Sequence, residues 1–290
     1  MNKIKKLYEN KLLELPYPWV ADISYECIMG SVAYGVAANA SDSDLYAICV
    51  PPKNMVFPEN HIIGFGPPLK SFDVTQQHHI KYNGNEYDVV VYSIVKFFQL
   101  AADMNPNITD ALAVPDRCVT YMDNIGRYMR DNRKKFYHKG CYWRFKGYAY
   151  KQLKKLKTKI PVGNRVELVE KHGWDTKFGY HIARLLNEVE ELMLTGDLNL
   201  ETSKEQLKAI RNGEWSLEFL ENWFVEKERM LDQLYLTSSL PNNPNYEELK
   251  RMLLVCLEER YGNLNVVLNI GMDSQTRIVI DEVKRLINSI

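Results

Sequence analysis

Residues 27–50 constrain the fold more than any other stretch, because they combine a glycine-serine turn with two closely spaced aspartates. Apolar residues lead into Gly30-Ser31, ten residues separate Ser31 from Asp42, and Asp44 opens an apolar run. This order predicts a strand, a turn with a short helix or loop, and a second strand. Side chains two apart on a strand share a face, so we expect Asp42 and Asp44 to project together.

The residue types in this stretch suit phosphate and a metal ion. Two close carboxylates repel each other unless a cation lies between them, and Mg²⁺ prefers a few carboxylates together with phosphate oxygens. Gly30 lets a ligand approach the backbone, and Ser31 adds a hydroxyl and an N–H at a predicted helix start, which favours anions. Asp-Ser-Asp alone is also typical of a solvated turn; the upstream Gly30-Ser31 favours the functional interpretation.

The order Gly-Ser, ten residues, Asp-x-Asp and an apolar strand resembles the DNA polymerase beta-type nucleotidyltransferase superfamily. The resemblance implies a third carboxylate on a later strand. Asp88 stands in a run of strand-forming residues, 85–92, and fits that position. Glu86 lies two residues earlier on the same face and is the alternative, while a role at a sheet edge or turn is the structural alternative for Asp88.

Local signals predict the elements around these residues. Asn83-Gly84 is a strong hairpin signal and predicts a hairpin over 76–92, followed by a helix that Ser93 caps. Apolar residues at helical spacing predict a helix over 3–15. His78 and His79 lie on the first arm of the hairpin, without partner ligands at suitable spacing, so a metal role for them is not favoured.

A second candidate site is predicted on a later helix. Asp175 can cap a helix over 176–194, on which Lys177, His181 and Arg184 fall on one side, beside the apolar stripe. Stacked like charges are unfavourable, so we expect an anion there, such as a nucleoside triphosphate or pyrophosphate. A surface helix with a packing or capping histidine is the alternative.

The segment DTKxxxHxxRLL at 175–186, with Ala-Ile-Arg-Asn-Gly at 209–213, resembles the RlaP-type branch of the superfamily. These are predicted nucleotidyltransferases linked by family inference to RNA repair, and the similarity extends over about 28–260. Two departures concern the acceptor: Asp110 stands where the family tends to carry glutamate, and residues 178–180 replace an alanine-rich segment.

Residues 127–159 hold thirteen Lys or Arg and one acidic residue, Asp131, with aromatic residues between them. Basic and aromatic side chains together suit RNA, whose backbone needs charge and whose bases need stacking surfaces. A helix with a solvated basic face is the alternative. The same charge also suits the phosphates of a nucleotide or a smaller acceptor.

The composition limits the location of the protein but not its partners. The chain has 37 basic and 37 acidic residues, so its net charge does not indicate a class of ligand. Its five cysteines are odd in number and scattered without CxxC spacing, which is typical of reduced cysteines in a cytoplasmic protein. No apolar run reaches the length of a membrane span, and no pattern indicates an oligomeric state.

Together these patterns predict an α+β protein with a small mixed β-sheet nucleotidyltransferase core followed by a C-terminal helical domain. The predicted domains are a catalytic domain over 1–125, a helical domain over 126–262 that closes the cleft, and an extension over 263–290.

The resemblance implies transfer of a nucleoside monophosphate from a nucleoside triphosphate to an acceptor hydroxyl, with two Mg²⁺ ions (or Mn²⁺) and RNA as acceptor. A transferase that modifies a protein or small molecule is the alternative, and a non-catalytic nucleotide-binding protein is a third interpretation. The implied catalytic and metal-binding residues are Asp42, Asp44 and Asp88. The implied nucleotide-binding residues are Gly30, Ser31, Tyr34, Lys177, His181 and Arg184, with Tyr148 as a further base or sugar contact.

Overall fold

The computed structural model describes residues 1–37, 43–58 and 70–264. Asp42, the first predicted metal ligand, therefore lies outside the described residues. Most of the irregular loop predicted over 58–71 lies outside them too, as does all but the first two residues of the extension predicted over 263–290.

A five-stranded mixed sheet forms the centre of the fold, in the order β3-β4-β2-β1-β5. The central strands β2 and β4 run parallel, and every other neighbouring pair is antiparallel. The strands are β1 Ile23–Ile28, β2 Ser43–Cys49, β3 Val74–Tyr82, β4 Asn85–Ser93 and β5 Val119–Met122. The prediction of a small mixed sheet is confirmed.

Helices precede, interrupt and follow the sheet, and the described chain after β5 is helical, which confirms the α+β class. The helices are α1 Lys3–Glu9, α2 Lys53–Val56, α3 Ile94–Ala102, α4 Pro106–Ala113, α5 Asn124–Asp131, α6 Gly140–Thr158, α7 Asn164–His172, α8 Thr176–Thr195, α9 Lys204–Arg211, α10 Leu217–Thr237 and α11 Tyr246–Tyr261. None of the helices in the described part of the chain is both long enough and apolar enough to cross a membrane.

The predicted hairpin and helix starts are confirmed. Asn83 and Gly84 both have positive φ, 50° and 78°, which is the backbone of a two-residue hairpin turn. The Ser93 hydroxyl accepts a hydrogen bond from the amide of Lys96, and the Asp175 carboxylate accepts one from the amide of Lys177. Each cap satisfies an amide that has no partner within its helix.

The first helix is shorter than the predicted 3–15. It ends at Glu9, because Lys11 takes a left-handed conformation with φ 57°. The amide of Leu12 then bonds back to the carbonyl of Leu7. Leu13 is still buried, so the apolar pattern reflects a chain folded back over α1 rather than further helical turns.

Both faces of the sheet are covered. One apolar cluster packs α1 and the residues after it against one face, around Leu45 and Val89. A larger cluster on the other face joins Tyr25 of β1 to Phe145 of α6 and Leu186 of α8. This cluster contains residues from both sides of position 125, and the domain boundaries stay a prediction.

Candidate active site at the head of the central strands

Asp44 and Asp88 lie side by side on the two central strands. They are Cα partners in the parallel register of β2 and β4, and both side chains are half-buried. Neighbouring residues in a sheet project from the same face. Strand pairing therefore brings together two of the three predicted carboxylates, and Asp42 is outside the described residues.

Gly30 adjoins this pair. Its φ is +67°, and a Cβ placed on it would overlap the Oδ2 of Asp44. The amide of Met29 donates a 2.7 Å hydrogen bond to the Asp44 carbonyl, which ties the end of β1 to β2. Only a residue without a side chain permits both this conformation and this approach, so Gly30 is required by the carboxylate beside it.

The helix expected after Gly30-Ser31 is a single 3₁₀ turn, Gly30–Val32. Gly35 also takes positive φ and the chain turns away, so a longer helix does not form. So short a turn has little macrodipole. Anion binding at Ser31 would therefore depend on its hydroxyl, on nearby N–H groups and on cations from other elements.

Two histidines hold the Asp88 carboxylate. The His79 amide donates a 2.9 Å hydrogen bond to Oδ1, and the His78 imidazole lies 3.2 Å from Oδ2. Both come from a bulge in β3 where the register shifts and His79 has φ 59°. Partial burial raises the pKa of Asp88, but the two histidine contacts outweigh burial and leave that pKa below its ordinary value.

Glu86, the alternative third carboxylate, faces a different environment. It pairs with the His79 side chain and lies opposite Lys81 in the hairpin. Asp88 lines the cavity described next, and Glu86 is absent from its lining among the described residues. The geometry therefore favours Asp88.

A cavity of about 640 Å³ opens between the carboxylate pair and the helices. Eight of the predicted site residues in the described part of the chain line it, although the carboxylates and the cations come from distant segments. These residues are Gly30, Ser31, Tyr34, Asp44, Asp88, Lys177, His181 and Arg184.

The helical wall of the cavity is basic. Lys177 is exposed and Arg165 is half-buried; Arg165 pairs with Asp175 at 2.6 Å and lies over the Phe178 ring. Burial, followed by the nearby Arg184 and Lys177 charges, lowers the pKa of His181 well below its ordinary value. His181 is therefore a neutral hydrogen-bonding group in the free protein rather than the cation that its spacing suggests.

Arg184 is less available to a ligand than its helical position suggests. Its guanidinium contacts the Tyr34 hydroxyl and the Asp110 carboxylate, and lies 3.4 Å from Glu188. The side chains of Arg184 and Asp110 are 8% and 0% exposed. Burial lowers the pKa of Arg184, but these partners outweigh burial and keep it charged.

Tyr34 belongs to the same buried network. Its hydroxyl donates to Asp110 at 2.5 Å, and its ring lies under the Arg184 guanidinium. A contact between Tyr34 and a base or sugar would therefore use the ring. Tyr148 accepts a 3.3 Å hydrogen bond from Asn105 and is not among the described residues that line the cavity.

Sequence reasoning missed several residues that line the cavity. Arg211 stands in the segment 209–213 quoted for the family resemblance, so a signal existed, but no role was drawn from it. The remaining residues meet the site only through folding, and the motifs predict no role for them. They include Tyr46, Asn107, Arg165 and Tyr180.

The basic segment 127–159 is largely neutralised by the fold. Counting the described residues alone, seven of its thirteen basic residues pair with carboxylates from other segments, including Lys146 with Glu228 at 2.9 Å. Phe136 and Phe145 are buried, whereas Trp143 is 64% exposed. Much of the positive charge of this segment is therefore paired with the protein's own carboxylates. Only the remaining charge is available to a polyanion.

A second depression, of about 790 Å³, lies at the other end of the molecule beside the N-terminus. Its charged side chains pair with one another, Lys5 with Asp22 and Arg260 with Asp123. No residue that the sequence singles out for chemistry lines it. We therefore place the candidate site at the 640 Å³ cavity beside Asp44 and Asp88.

The model of the RlaP family, described as the RNA repair pathway DNA polymerase beta family, matches residues 4–249. An uncharacterised 38.9 kDa protein of Enterobacteria phage T4, from the nrdC-mobD intergenic region, is 32% identical over 135 residues. That alignment covers 45% of this chain and 37% of the phage protein, so the chain matches well under half of its relative.

Among solved structures, a nucleotidyltransferase-like protein from Exiguobacterium sibiricum is 12% identical to this chain. The alignment covers 89% of this chain and 79% of that protein, with a TM-score of 0.30.

Proposed function

The chain belongs to the RlaP family, the RNA repair pathway DNA polymerase beta family, and on that premise we propose that it transfers a nucleoside monophosphate from a nucleoside triphosphate to an acceptor hydroxyl. The observation that carries the proposal is the register of Asp44 with Asp88 beside Gly30, at the mouth of a cavity with a basic wall. A cavity lined by both acidic and basic groups suits a ligand that binds metal ions as well as protein cations.

The donor set fits Mg²⁺, and Mn²⁺ as a substitute. Among the described residues no group of three or more His, Cys, Asp or Glu could hold a metal ion by itself. Mg²⁺ does not require such a cage, because it is commonly bound through one or two carboxylates and the phosphates of the substrate. Asp44 and Asp88 would provide these carboxylates, and Asp42 is a third candidate from the sequence.

In the proposed reaction an acceptor oxygen bonds to the α-phosphorus, the bond to the bridging oxygen breaks, and pyrophosphate leaves. Bound Mg²⁺ would supply Lewis-acid polarisation and lower the pKa of the attacking hydroxyl. The pKa of Asp88 is below its ordinary value, so its carboxylate is ionised at neutral pH and would accept the hydroxyl proton.

The remaining residues would bind the triphosphate. Ser31, through its hydroxyl, and the backbone at Gly30 would contact the β- and γ-phosphates. Lys177 would neutralise charge that develops on the leaving group, and His181 would donate a hydrogen bond while neutral. Arg184 would act over a longer range, because Asp110 and Glu188 occupy its guanidinium.

The acceptor that the family description favours is RNA. The exposed Trp143 and the basic residues of 127–159 that have no carboxylate partner in the described part of the chain support it. The extensive ion pairing of the same segment favours the second candidate, transfer to a protein or a small molecule, because less free charge remains for a polynucleotide. The five buried, free cysteines support a cytoplasmic location, where thiols stay reduced.

The experiment incubates the protein with each α-labelled nucleoside triphosphate, Mg²⁺ and a cell extract, and follows the label into RNA, protein or small molecules. Asp44→Asn and Asp88→Asn should each reduce labelling to background with an unchanged circular dichroism spectrum. Asp73→Asn is the matched control, because this aspartate is 62% exposed and pairs with Lys96. Full labelling by either site variant contradicts the assignment.

A further inference from the structure

A second cavity adjoins the candidate active site. It has a volume of about 390 Å³, and Leu168, Lys177 and Arg211 line both cavities. The shared residues make the two cavities neighbours along one wall. A ligand in the larger cavity can extend into the smaller one, or a second ligand can bind beside it.

The two cavities differ in charge. Lys177, Lys208 and Arg211 line the smaller one, and none of the described residues of its lining is acidic. The larger cavity includes Asp44 and Asp88. The smaller cavity therefore suits an anion that binds to protein cations alone, while the larger one suits an anion that brings metal ions.

In the smaller cavity, Arg211 is held in place by hydrogen bonds, whereas Lys208 is only weakly held. Arg211 donates a 2.9 Å hydrogen bond to the Val36 carbonyl, and its own carbonyl accepts one from the Thr176 hydroxyl. A guanidinium that is already positioned loses little freedom when it binds phosphate. Within the described parts of the chain, the carboxylate that pairs with Lys208 is Glu205, one turn away and 75% exposed. Such a surface pair is weak, so an arriving phosphate can replace it.

We propose that the smaller cavity binds a phosphate group other than the one transferred. The inference rests on the proposed function, which supplies two sources of such a group. One is the polyphosphate end of the nucleoside triphosphate, which leaves as pyrophosphate. The other is a terminal phosphate of a polynucleotide acceptor. Both carry two or more negative charges, which three basic side chains match.

The test compares Lys208→Gln with Lys204→Gln, an equal loss of charge one turn earlier on α9, at an exposed residue outside the lining. Calorimetry measures binding of pyrophosphate, of a non-hydrolysable nucleoside triphosphate, and of RNA oligonucleotides with and without a terminal phosphate. Lys208→Gln should weaken at least one phosphate probe about tenfold relative to the control, the size of a lost charged hydrogen bond. Lys208→Arg should restore binding.

The probes distinguish the two sources. Weaker binding of pyrophosphate and the triphosphate assigns the cavity to the nucleotide, and weaker binding of only the phosphorylated RNA assigns it to the acceptor. Equal binding of every probe by the two glutamine variants overturns the proposal. A loss that is the same for both RNAs and absent for pyrophosphate and the triphosphate also overturns it.

The binding measurement needs no turnover, which separates this inference from the proposed function. If pyrophosphate binding depends on Lys208 but no label is transferred, the phosphate site in the smaller cavity is supported and the proposed transferase function is contradicted. If label is transferred and both glutamine variants bind alike, the reverse holds.

Discussion

Gly30 and Asp44 lie so close that a single methyl group on Gly30 would occupy the space of the Asp44 carboxylate. The glycine therefore does more than permit a turn. It leaves room for an acidic side chain at the head of β2, and it fixes where that side chain lies relative to Asp88 on β4.

Gly30→Ala should abolish most transfer activity without unfolding the protein. The new methyl group must displace Asp44, and a shift of about 1 Å at a reacting centre is worth on the order of 100-fold in rate. Gly84→Ala is the matched control, since Gly84 also has positive φ but nothing within 4 Å of an added Cβ. Both variants should lose about 1–2 kcal/mol of stability in urea unfolding. Equal activity of the two would contradict the role of Gly30.

His78 should act on turnover through Asp88. It contacts Oδ2 of the carboxylate, and groups that orient metal ligands are worth about 10–100-fold in activity. His78→Ala should therefore lower kcat by about that factor while the KM for the triphosphate changes little. His78→Gln should recover part of the loss, because an amide can still donate to the carboxylate.

The control for this prediction is the neighbouring histidine. His79→Asn keeps a residue that tolerates positive φ and keeps the backbone amide that binds Asp88, while it removes the imidazole that contacts Glu86. Its kcat should stay near that of the unaltered protein. A similar fall in both variants would assign the effect to the bulge itself.

The buried network around Arg184 should be important for stability. Asp110→Ala leaves the Arg184 charge without its closest carboxylate, and breaking a buried ion pair costs about 3–5 kcal/mol. Glu226→Ala removes the partner of Arg229 from a pair that is about 70% exposed, and should cost less than about 1 kcal/mol. Urea unfolding of both variants provides the comparison, and equal losses would show that Arg184 is solvated.

Stability should decrease as the pH falls below about 6.5, the ordinary value for histidine. Burial lowers the pKa of His138, and its Nδ1 accepts a 3.0 Å hydrogen bond from the Gly140 amide. The unfolded chain therefore binds more protons than the folded one as the pH falls. The contribution of neutral His138 to the free energy of unfolding is complete above pH 6.5 and is lost on acidification.

His138→Asn isolates this contribution. The variant should be less stable at pH 7 but lose less between pH 7 and pH 5, as measured by urea unfolding at each pH. His181 has the same sign of shift and stays in both proteins, so it cancels in the comparison. Parallel losses in the two proteins would exclude His138 as the titrating group.

Much of the fold is predictable because its signals are local. Asn83-Gly84 sets the hairpin by its own backbone angles, and Ser93 and Asp175 bond to amides two or three residues away. Such features need no knowledge of the rest of the chain. The glycine-serine turn and the acidic residues were likewise recognisable as a pattern.

The parts that escaped prediction depend on distant partners. Arg184 lies at the edge of an apolar stripe, a position compatible with solvent or with burial. Its contact with Asp110 of α4 forms only when the chain folds. The bulge at His78 and His79 interrupts β3 within the predicted hairpin arm, and no turn signal in the sequence marks it. Arg211 reaches the cavity because α9 packs on α8, which no spacing along the chain reveals.

The parallel pairing of β2 with β4 has a consequence for synthesis. A hairpin such as β3–β4 closes within microseconds, but parallel neighbours require a long crossover and form late. A ribosome-bound chain that ends after β2 already carries Asp44 but not yet Asp88. The proposed catalytic pair is therefore incomplete in the nascent chain until β4 has emerged and docked beside β2.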